Sequence, residues 1–241
     1  MSEKRTGLKR EYVRVDTGGE WRSRSIRDGL SYGGNQSWFT EERDGCIKPL
    51  GCGLISCADI LLYKTGRTRL TLDEYKDFVR SLNKGFLRVR PKLGVNGIFL
   101  AWGLKRRFRK LGLPYKAKWC FSAGKQLERI RDMLERDMPV TLSAGPQLGR
   151  KTKRGGVTFL ARNAQNSFAL PAWRSGLVRD HYVTVTGLIE EEERKLLEIS
   201  SWGERYYIDW EDYRRYTKQP LTFFSNILFL DTVGAPTGLD T

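Results

Sequence analysis

One stretch, Gly51 to Tyr63, constrains the fold more than any other part of the chain. Behind Cys52, seven of its positions are apolar: Leu54, Ile55, Cys57, Ala58, Ile60, Leu61 and Leu62. A helix that is apolar nearly all round lies in the interior of a protein. The stretch therefore predicts a central buried helix around which the rest of the chain is organised.

Cys52 opens this predicted helix, with Gly51 before it and Gly53 after it. Unpaired backbone N–H groups and the positive end of the helix dipole favour a thiolate at that position. Glycines on both sides allow a substrate to come close. Most cysteines are small buried hydrophobes, which is how we interpret Cys57. The rival nucleophile, Cys46, lies in a loop-like segment without a helix behind it, so Cys52 is the stronger candidate.

His181 is the single histidine among 241 residues and hence the natural base for chemistry near neutral pH. It opens a strand in which Val183, Val185 and Leu188 alternate with threonines and a glycine. A second strand, from 196 to 203, follows across an acidic turn. This pattern predicts a hairpin that holds the imidazole rigidly.

These features together resemble the papain-like cysteine peptidase superfamily. The matching motifs are the helix-capping Cys52, a D-H-x-V-x-V-x-G strand that begins at Asp180, and a strand that ends in S-W-G at Gly203. The closer likeness is to the bacterial branch that includes the double-glycine leader peptidases, which process bacteriocins. The resemblance covers roughly residues 33 to 65 and 138 to 232. It implies a papain-like fold with Cys52 as nucleophile and His181 as base.

Two further roles follow from the same resemblance, and both depart from the family pattern. Gln36 is the counterpart of the glutamine that helps to form the oxyanion hole, but the interval from 36 to 52 is much longer than the family's, so a looped-out insertion is needed. Ser200 takes the place of the Asn or Asp that orients the imidazole, and a serine supplies no charge. We expect the pocket walls to include Trp38, Gly51, Gly53, Asp180 and Trp202.

The formal net charge of +15 is concentrated in one segment. Between Asp77 and Glu128 there are thirteen basic residues and no acidic one. A predicted helix in this segment puts its apolar stripe in the core, so Arg106, Arg107 and Lys110 should form a basic face. Such a face can attract nucleic acid, an anionic membrane or an acidic protein, or it can be solvated without any partner.

The length and a hydrophobic fraction of 39% predict one α+β domain over residues 1–241, with helices first and a twisted antiparallel sheet last. We expect residues 1–30 to be partly mobile and residues 233–241 to be frayed. Ser122 is predicted to cap a helix, and residues 163 to 178 are interpreted as a loop near the mouth of the site.

Four cysteines without a CxxC pair, and with one histidine, predict neither a metal site nor another cofactor. No apolar run approaches the roughly 20 residues that cross a bilayer, and the start of the chain is too charged for a signal peptide. We therefore expect a cytoplasmic protein without a membrane span.

Three hypotheses for function result. The first is a cysteine hydrolase that acts on a peptide or other acyl bond, or a transferase if an amine clears the acyl-enzyme. The second is a peptidase-like fold with weakened catalysis that binds nucleic acid or an acidic protein through its basic face. In the third, Cys52 and His181 are unrelated core residues.

Overall fold

A computed structural model describes residues 3–19, 29–122, 124–145, 156–162, 167–170, 177–217 and 225–232. Its α-helices are α1 Ile47–Leu50, α2 Cys52–Lys64, α3 Leu72–Leu82, α4 Gly97–Lys110, α5 Gln126–Glu135 and α6 Trp210–Thr217. Its strands are β1 Lys4–Gly7, β2 Arg14–Asp16, β3 Arg69–Thr71, β4 Tyr115–Trp119, β5 Val140–Ala144, β6 Val157–Arg162, β7 Phe168–Ala169, β8 Leu177–Val178, β9 His181–Glu190, β10 Lys195–Ser201, β11 Glu204–Asp209 and β12 Ile227–Thr232. The protein is a mixed α+β structure, as predicted.

The described residues contain a ten-stranded sheet. Its order is β4-β12-β5-β9-β10-β11-β6-β7, with β1 beside β9 and β8 beside β6, and the pairs are antiparallel. The first half of β9 pairs with β5, and its second half pairs with β1. Strand β9 is therefore a central strand, and its first residue, His181, pairs with Ala144 of β5.

Helix α2 is the predicted central helix. Its residues from Gly53 to Tyr63 are all buried, and it packs against β9, α3 and α4. On its sheet side, the Ser56 hydroxyl lies 2.7 Å from that of Thr141 and 2.8 Å from that of Thr184. These hydrogen bonds satisfy three buried hydroxyls and fix the helix against β5 and β9.

Helices α3 and α4 both begin with a side-chain cap. Thr71 caps α3 in a reciprocal capping box with Glu74, and the Asn96 side chain accepts from the Phe99 N–H at the start of α4. The predicted cap at Ser122 is wrong. Helix α5 begins at Gln126, because Gly124 and Lys125 form a turn before it.

In the N-terminal segment that we expected to be partly mobile, the described residues 3–19 include two strands. Strand β1 pairs with the second half of β9, and Arg5 forms an ion pair of 2.8 Å with the buried Glu198. Val13 and Val15 lie in the hydrophobic core. Because β1 is short and charged, its stability comes from backbone pairing, which leaves no apolar pattern in the sequence. Strands β1 and β4 also show that the sheet is not confined to the C-terminal half.

Two other predicted segments lie partly or wholly outside the described residues. The predicted loop from 163 to 178 contains the short strands β7 and β8, which pair with β6, and its remaining residues lie largely outside the described ranges. The predicted frayed tail, 233–241, lies outside them altogether. None of the helices in the described ranges has the length and apolar character needed to cross a membrane.

Candidate active site

A narrow pocket lies where the first turn of α2 meets β9 and the end of β10. We call it the Cys52 pocket. The side chains that carry its chemistry are those of Gln36, Cys52, Asp59, His181, Ser201 and Trp202. Its volume is about 10 Å³, close to what a single water molecule requires. The pocket thus brings together the predicted nucleophile, the predicted base and the glutamine, which lie far apart in the sequence.

The electrostatics at Cys52 differ from the expectation of a thiolate. Burial raises the pKa of the Cys52 thiol above its usual value, and the backbone N–H groups of Tyr182, Gly53 and Cys52 itself lower it in opposition. The net shift is upward. The N–H groups at the start of α2 do act on the sulfur as predicted, but desolvation outweighs them, so the resting group is a thiol.

Two neighbours fix the orientation of the His181 ring. Its Nε2 lies 2.8 Å from the Ser201 hydroxyl, and the ring stacks on the Trp202 indole at 4.4 Å with 16° between the planes. His181 is 6% exposed, so these contacts are made in a largely water-free setting. If Nε2 donates its proton to Ser201, the tautomer leaves Nδ1 as the basic nitrogen.

An unusual turn positions the Trp202 indole. Trp202 and Gly203 connect β10 to β11 and have φ angles of 52° and 76°. Two successive left-handed residues are typical of a type I′ hairpin turn, where Asn-Gly is preferred. A bulky tryptophan is disfavoured in this conformation. The strain is compatible with a role for the ring, because the turn places the indole flat against the imidazole.

The residue next to the imidazole is Ser201, and the expectation for Ser200 is corrected by one position. The Ser200 hydroxyl donates to the backbone carbonyl of Tyr32 at 2.9 Å. Successive side chains of a strand point to opposite faces of the sheet, so neighbouring serines cannot share one partner easily. Motif alignment does not distinguish these two serines, whereas the pairing register does.

Gln36 reaches the pocket despite its distance from Cys52 in sequence. It lies in a short 3-10 turn, and its Nε2 donates to the Lys48 carbonyl at 3.0 Å. The intervening residues form a second 3-10 turn and helix α1, which together make the predicted looped-out insertion. Because the amide nitrogen carries two hydrogens, the bond to Lys48 orients Gln36 and leaves one N–H for another acceptor.

The other expected wall residues divide into two groups. Trp202 lines the pocket, but Trp38, Gly51, Gly53 and Asp180 are not among its lining residues. Trp38 instead packs edge-on against Tyr75 at 5.7 Å. Gly51 precedes α2 where a Cβ atom would lie 2.5 Å from the Ile47 carbonyl oxygen, and Gly53 faces Leu100. These glycines serve close packing around Cys52.

Sequence reasoning missed Asp59, the single charged residue of the buried stretch. Its carboxylate accepts from the Tyr75 hydroxyl at 2.6 Å, the Gly34 N–H at 3.1 Å and the Tyr12 hydroxyl at 3.2 Å. Desolvation raises the pKa of Asp59 to about 6, with the three donors lowering it in opposition. A charge two turns after Cys52 in an otherwise apolar helix was the signal that could have identified it.

The expected basic face is only partly formed by the residues named for it. Arg106 and Lys110 are exposed, but Arg107 is partly buried and donates to the Ser81 carbonyl at 2.9 Å.

All four cysteines are free. In the described part of the chain, no group of three or more His, Cys, Asp or Glu side chains is placed to hold a metal ion.

Comparison with known proteins gives no match: no protein-family model fits the chain, and no curated protein or solved structure is significantly similar to it.

Proposed function

We propose that this protein is a cysteine hydrolase with a papain-like fold that acts on a peptide or other acyl bond. The observation that carries the proposal is the shared pocket of Cys52, His181 and Gln36 at the first turn of a buried helix. A nucleophile, a base with an oriented ring and a candidate oxyanion donor are the parts that acyl transfer requires. The packing of α2 on an antiparallel sheet is compatible with this fold.

In the proposed mechanism, His181 Nδ1 removes the proton from the Cys52 thiol as the sulfur attacks the carbonyl carbon. The Cys52 N–H and the second N–H of Gln36 stabilise the oxyanion. His181 then donates its proton to the leaving group, and an acyl-enzyme remains on the sulfur. Water attacks the acyl group with His181 as base, which releases the acid and restores the thiol.

The raised pKa of Cys52 determines how the dyad would work. A resting thiol needs a base during the attack, so His181 acts as a general base in this proposal and not only as the partner of a preformed thiolate. Free thiols persist in a reducing compartment, which is compatible with a cytoplasmic location.

Alkylation with iodoacetamide at pH 7, followed by peptide mapping, tests the nucleophile. Cys46 is an internal control, because it is partly exposed like Cys52, whereas Cys57 and Cys120 are buried. We expect Cys52 to react first, by about tenfold over Cys46, because His181 assists loss of its proton. An epoxysuccinyl probe that recognises peptidase sites should label the wild type and leave Cys52→Ala unlabelled.

Two results would contradict the proposal. Preferential labelling of Cys46 would mean that the nucleophile is misplaced. Rapid alkylation of Cys52, without epoxysuccinyl labelling and without turnover of a mixed peptide library, would instead favour a peptidase-like fold that has lost its chemistry.

A further inference from the structure

A second concave site lies on the basic segment and shares no lining residue with the Cys52 pocket. It is a groove of about 360 Å³ between α4, the turn at residues 85–87 and strand β4. Six of its lining residues carry the argument: Phe86, Trp102, Lys105, Arg106, Arg109 and Lys116. We call this site the α4 groove.

The aromatic part of the α4 groove is exposed but fixed in position. Trp102 is 50% exposed and Phe86 is 41% exposed. Their rings meet edge to face at 5.5 Å, and Phe99 lies 5.7 Å from the Trp102 ring. Three mutually packed rings have little freedom to turn inward. They therefore form a rigid platform that presents apolar faces to water.

Four cations surround this platform. One side of α4 carries Trp102, Lys105, Arg106 and Arg109, because each of these positions lies three or four residues from two of the others. Lys116 adds a fourth cation from β4. All four basic residues are exposed. Within the described ranges none of them forms an ion pair, whereas Lys118 on the same strand pairs with Asp231 at 2.6 Å. The cations at the groove thus keep their charge available.

The segment that forms the groove contributes no acidic side chain, and Asp231, which lies opposite Lys116 on β12, is paired with Lys118. Residues 78 to 127 contain no aspartate or glutamate, and the segment supplies α4, β4 and the turn at 85–87. A polyanion is the complementary partner for this surface. The rings add a requirement, because a partner that engages them must also offer flat apolar groups.

We propose that the α4 groove binds single-stranded nucleic acid, with bases stacked on Trp102 and Phe86 and phosphates paired with Lys105, Arg106, Arg109 and Lys116. A single strand presents both unstacked bases and phosphates, whereas a duplex buries its base faces. An acidic peptide matches the cations but offers no comparable stacking. The inference does not depend on chemistry at Cys52.

The test is a titration of the protein into a labelled deoxythymidine oligonucleotide of about 12 nucleotides, with binding monitored by fluorescence anisotropy. We expect Trp102→Ala to weaken binding by about 5- to 150-fold, the range given by loss of one stacked base. Leu111→Ala is the matched control, since Leu111 is an exposed apolar residue just after α4 that does not line the groove. Its affinity should stay within about twofold of the wild type.

A second pair of variants separates local contacts from net charge. Arg106→Glu and Lys110→Glu change the charge equally on the same helix, but Lys110 does not line the groove. Arg106→Glu should weaken binding by about tenfold or more, and Lys110→Glu by about threefold or less. Wild-type affinity should fall steeply between about 50 mM and 200 mM salt.

Several outcomes would overturn the proposal. Absence of binding at low salt, or equal losses for Arg106→Glu and Lys110→Glu, would leave only a diffuse basic surface. Equal affinity for a duplex of the same length, with no effect of Trp102→Ala, would exclude base stacking. Tighter binding to polyglutamate or to phosphatidylserine vesicles than to the oligonucleotide would assign the groove to an acidic protein or to a membrane surface.

Discussion

The Cys52 pocket and the α4 groove differ in how their polar groups are satisfied. In the pocket, the imidazole, the amide of Gln36 and the carboxylate of Asp59 all have partners within the protein. In the groove, Arg106 and its neighbouring cations have no ion-pair partner among the described residues. The polar groups of the pocket are therefore fixed by the protein itself, whereas the cations of the groove are not fixed by ion pairs within the described residues.

This difference indicates two kinds of function. Pre-positioned groups in a narrow, largely buried pocket suit a reaction, because they need no reorganisation when charge develops. Exposed cations beside fixed rings suit binding of a long polyanion, whose affinity comes from many weak contacts. Variants of one site should therefore leave the other unaffected.

The largest expected effect is that of His181→Gln on the pocket. We expect alkylation of Cys52 at pH 7 to slow by about 100-fold or more, since general base catalysis typically contributes that much. With the base removed, the reaction should require pH values at which the thiol of raised pKa ionises by itself. The measurement is the rate of Cys52 alkylation against pH, with the rate at Cys46 as internal reference.

The same variant tests whether the two sites are independent. Oligonucleotide affinity of His181→Gln should match that of the wild type. An unchanged Cys52 rate would show that there is no dyad, and a joint loss at both sites would show that the variant perturbs the whole fold.

An intermediate effect is expected from Asp59, whose burial distinguishes the pocket from the groove. Its pKa is about 6 in the folded protein, above the 3.8 of the free side chain. Between about pH 4 and pH 6 the folded state therefore holds a proton that the unfolded state has released. Stability should fall as pH rises through this window, by on the order of 3 kcal/mol from this group.

Asp59→Asn removes this titration. Urea unfolding of both proteins at several pH values between 4 and 7 gives the difference in unfolding free energy as a function of pH. We expect that difference to move in favour of the variant as pH rises. A constant packing defect of the variant shifts every point equally, so a difference that is flat or that moves against the variant would contradict the raised pKa of Asp59.

Residues that are scarce or locally patterned could be predicted from the sequence. The buried helix α2 follows from its apolar run, and the strand that begins at His181 follows from its alternating pattern. By contrast, the pairing of β1 with β9 depends on backbone hydrogen bonds that leave no side-chain pattern. Local patterns therefore predicted most elements but not how the N-terminus completes the sheet.

In both candidate sites, the sequence likewise indicated the residue types but not their contacts. Charge composition located the basic segment correctly, but it could not separate Arg106 in the groove from Arg107, which is directed to the Ser81 carbonyl. In the pocket, a single histidine made His181 easy to identify. The neighbour of its ring depends on strand register, and a one-residue difference in register exchanges Ser200 for Ser201.

The smallest expected effect distinguishes these two serines. Ser201→Ala removes the hydroxyl 2.8 Å from His181 Nε2, while the stack on Trp202 is retained. Loss of one hydrogen bond of about 1 kcal/mol should slow Cys52 alkylation by about fivefold, because the tautomer with basic Nδ1 is less favoured. Ser200→Ala, at the adjacent position, is the matched control, since it removes a buried hydroxyl that donates to the Tyr32 carbonyl. It should lower the unfolding free energy by a similar amount and leave the alkylation rate unchanged. A slower rate in Ser200→Ala, with normal reactivity in Ser201→Ala, would restore Ser200 as the residue that orients the base.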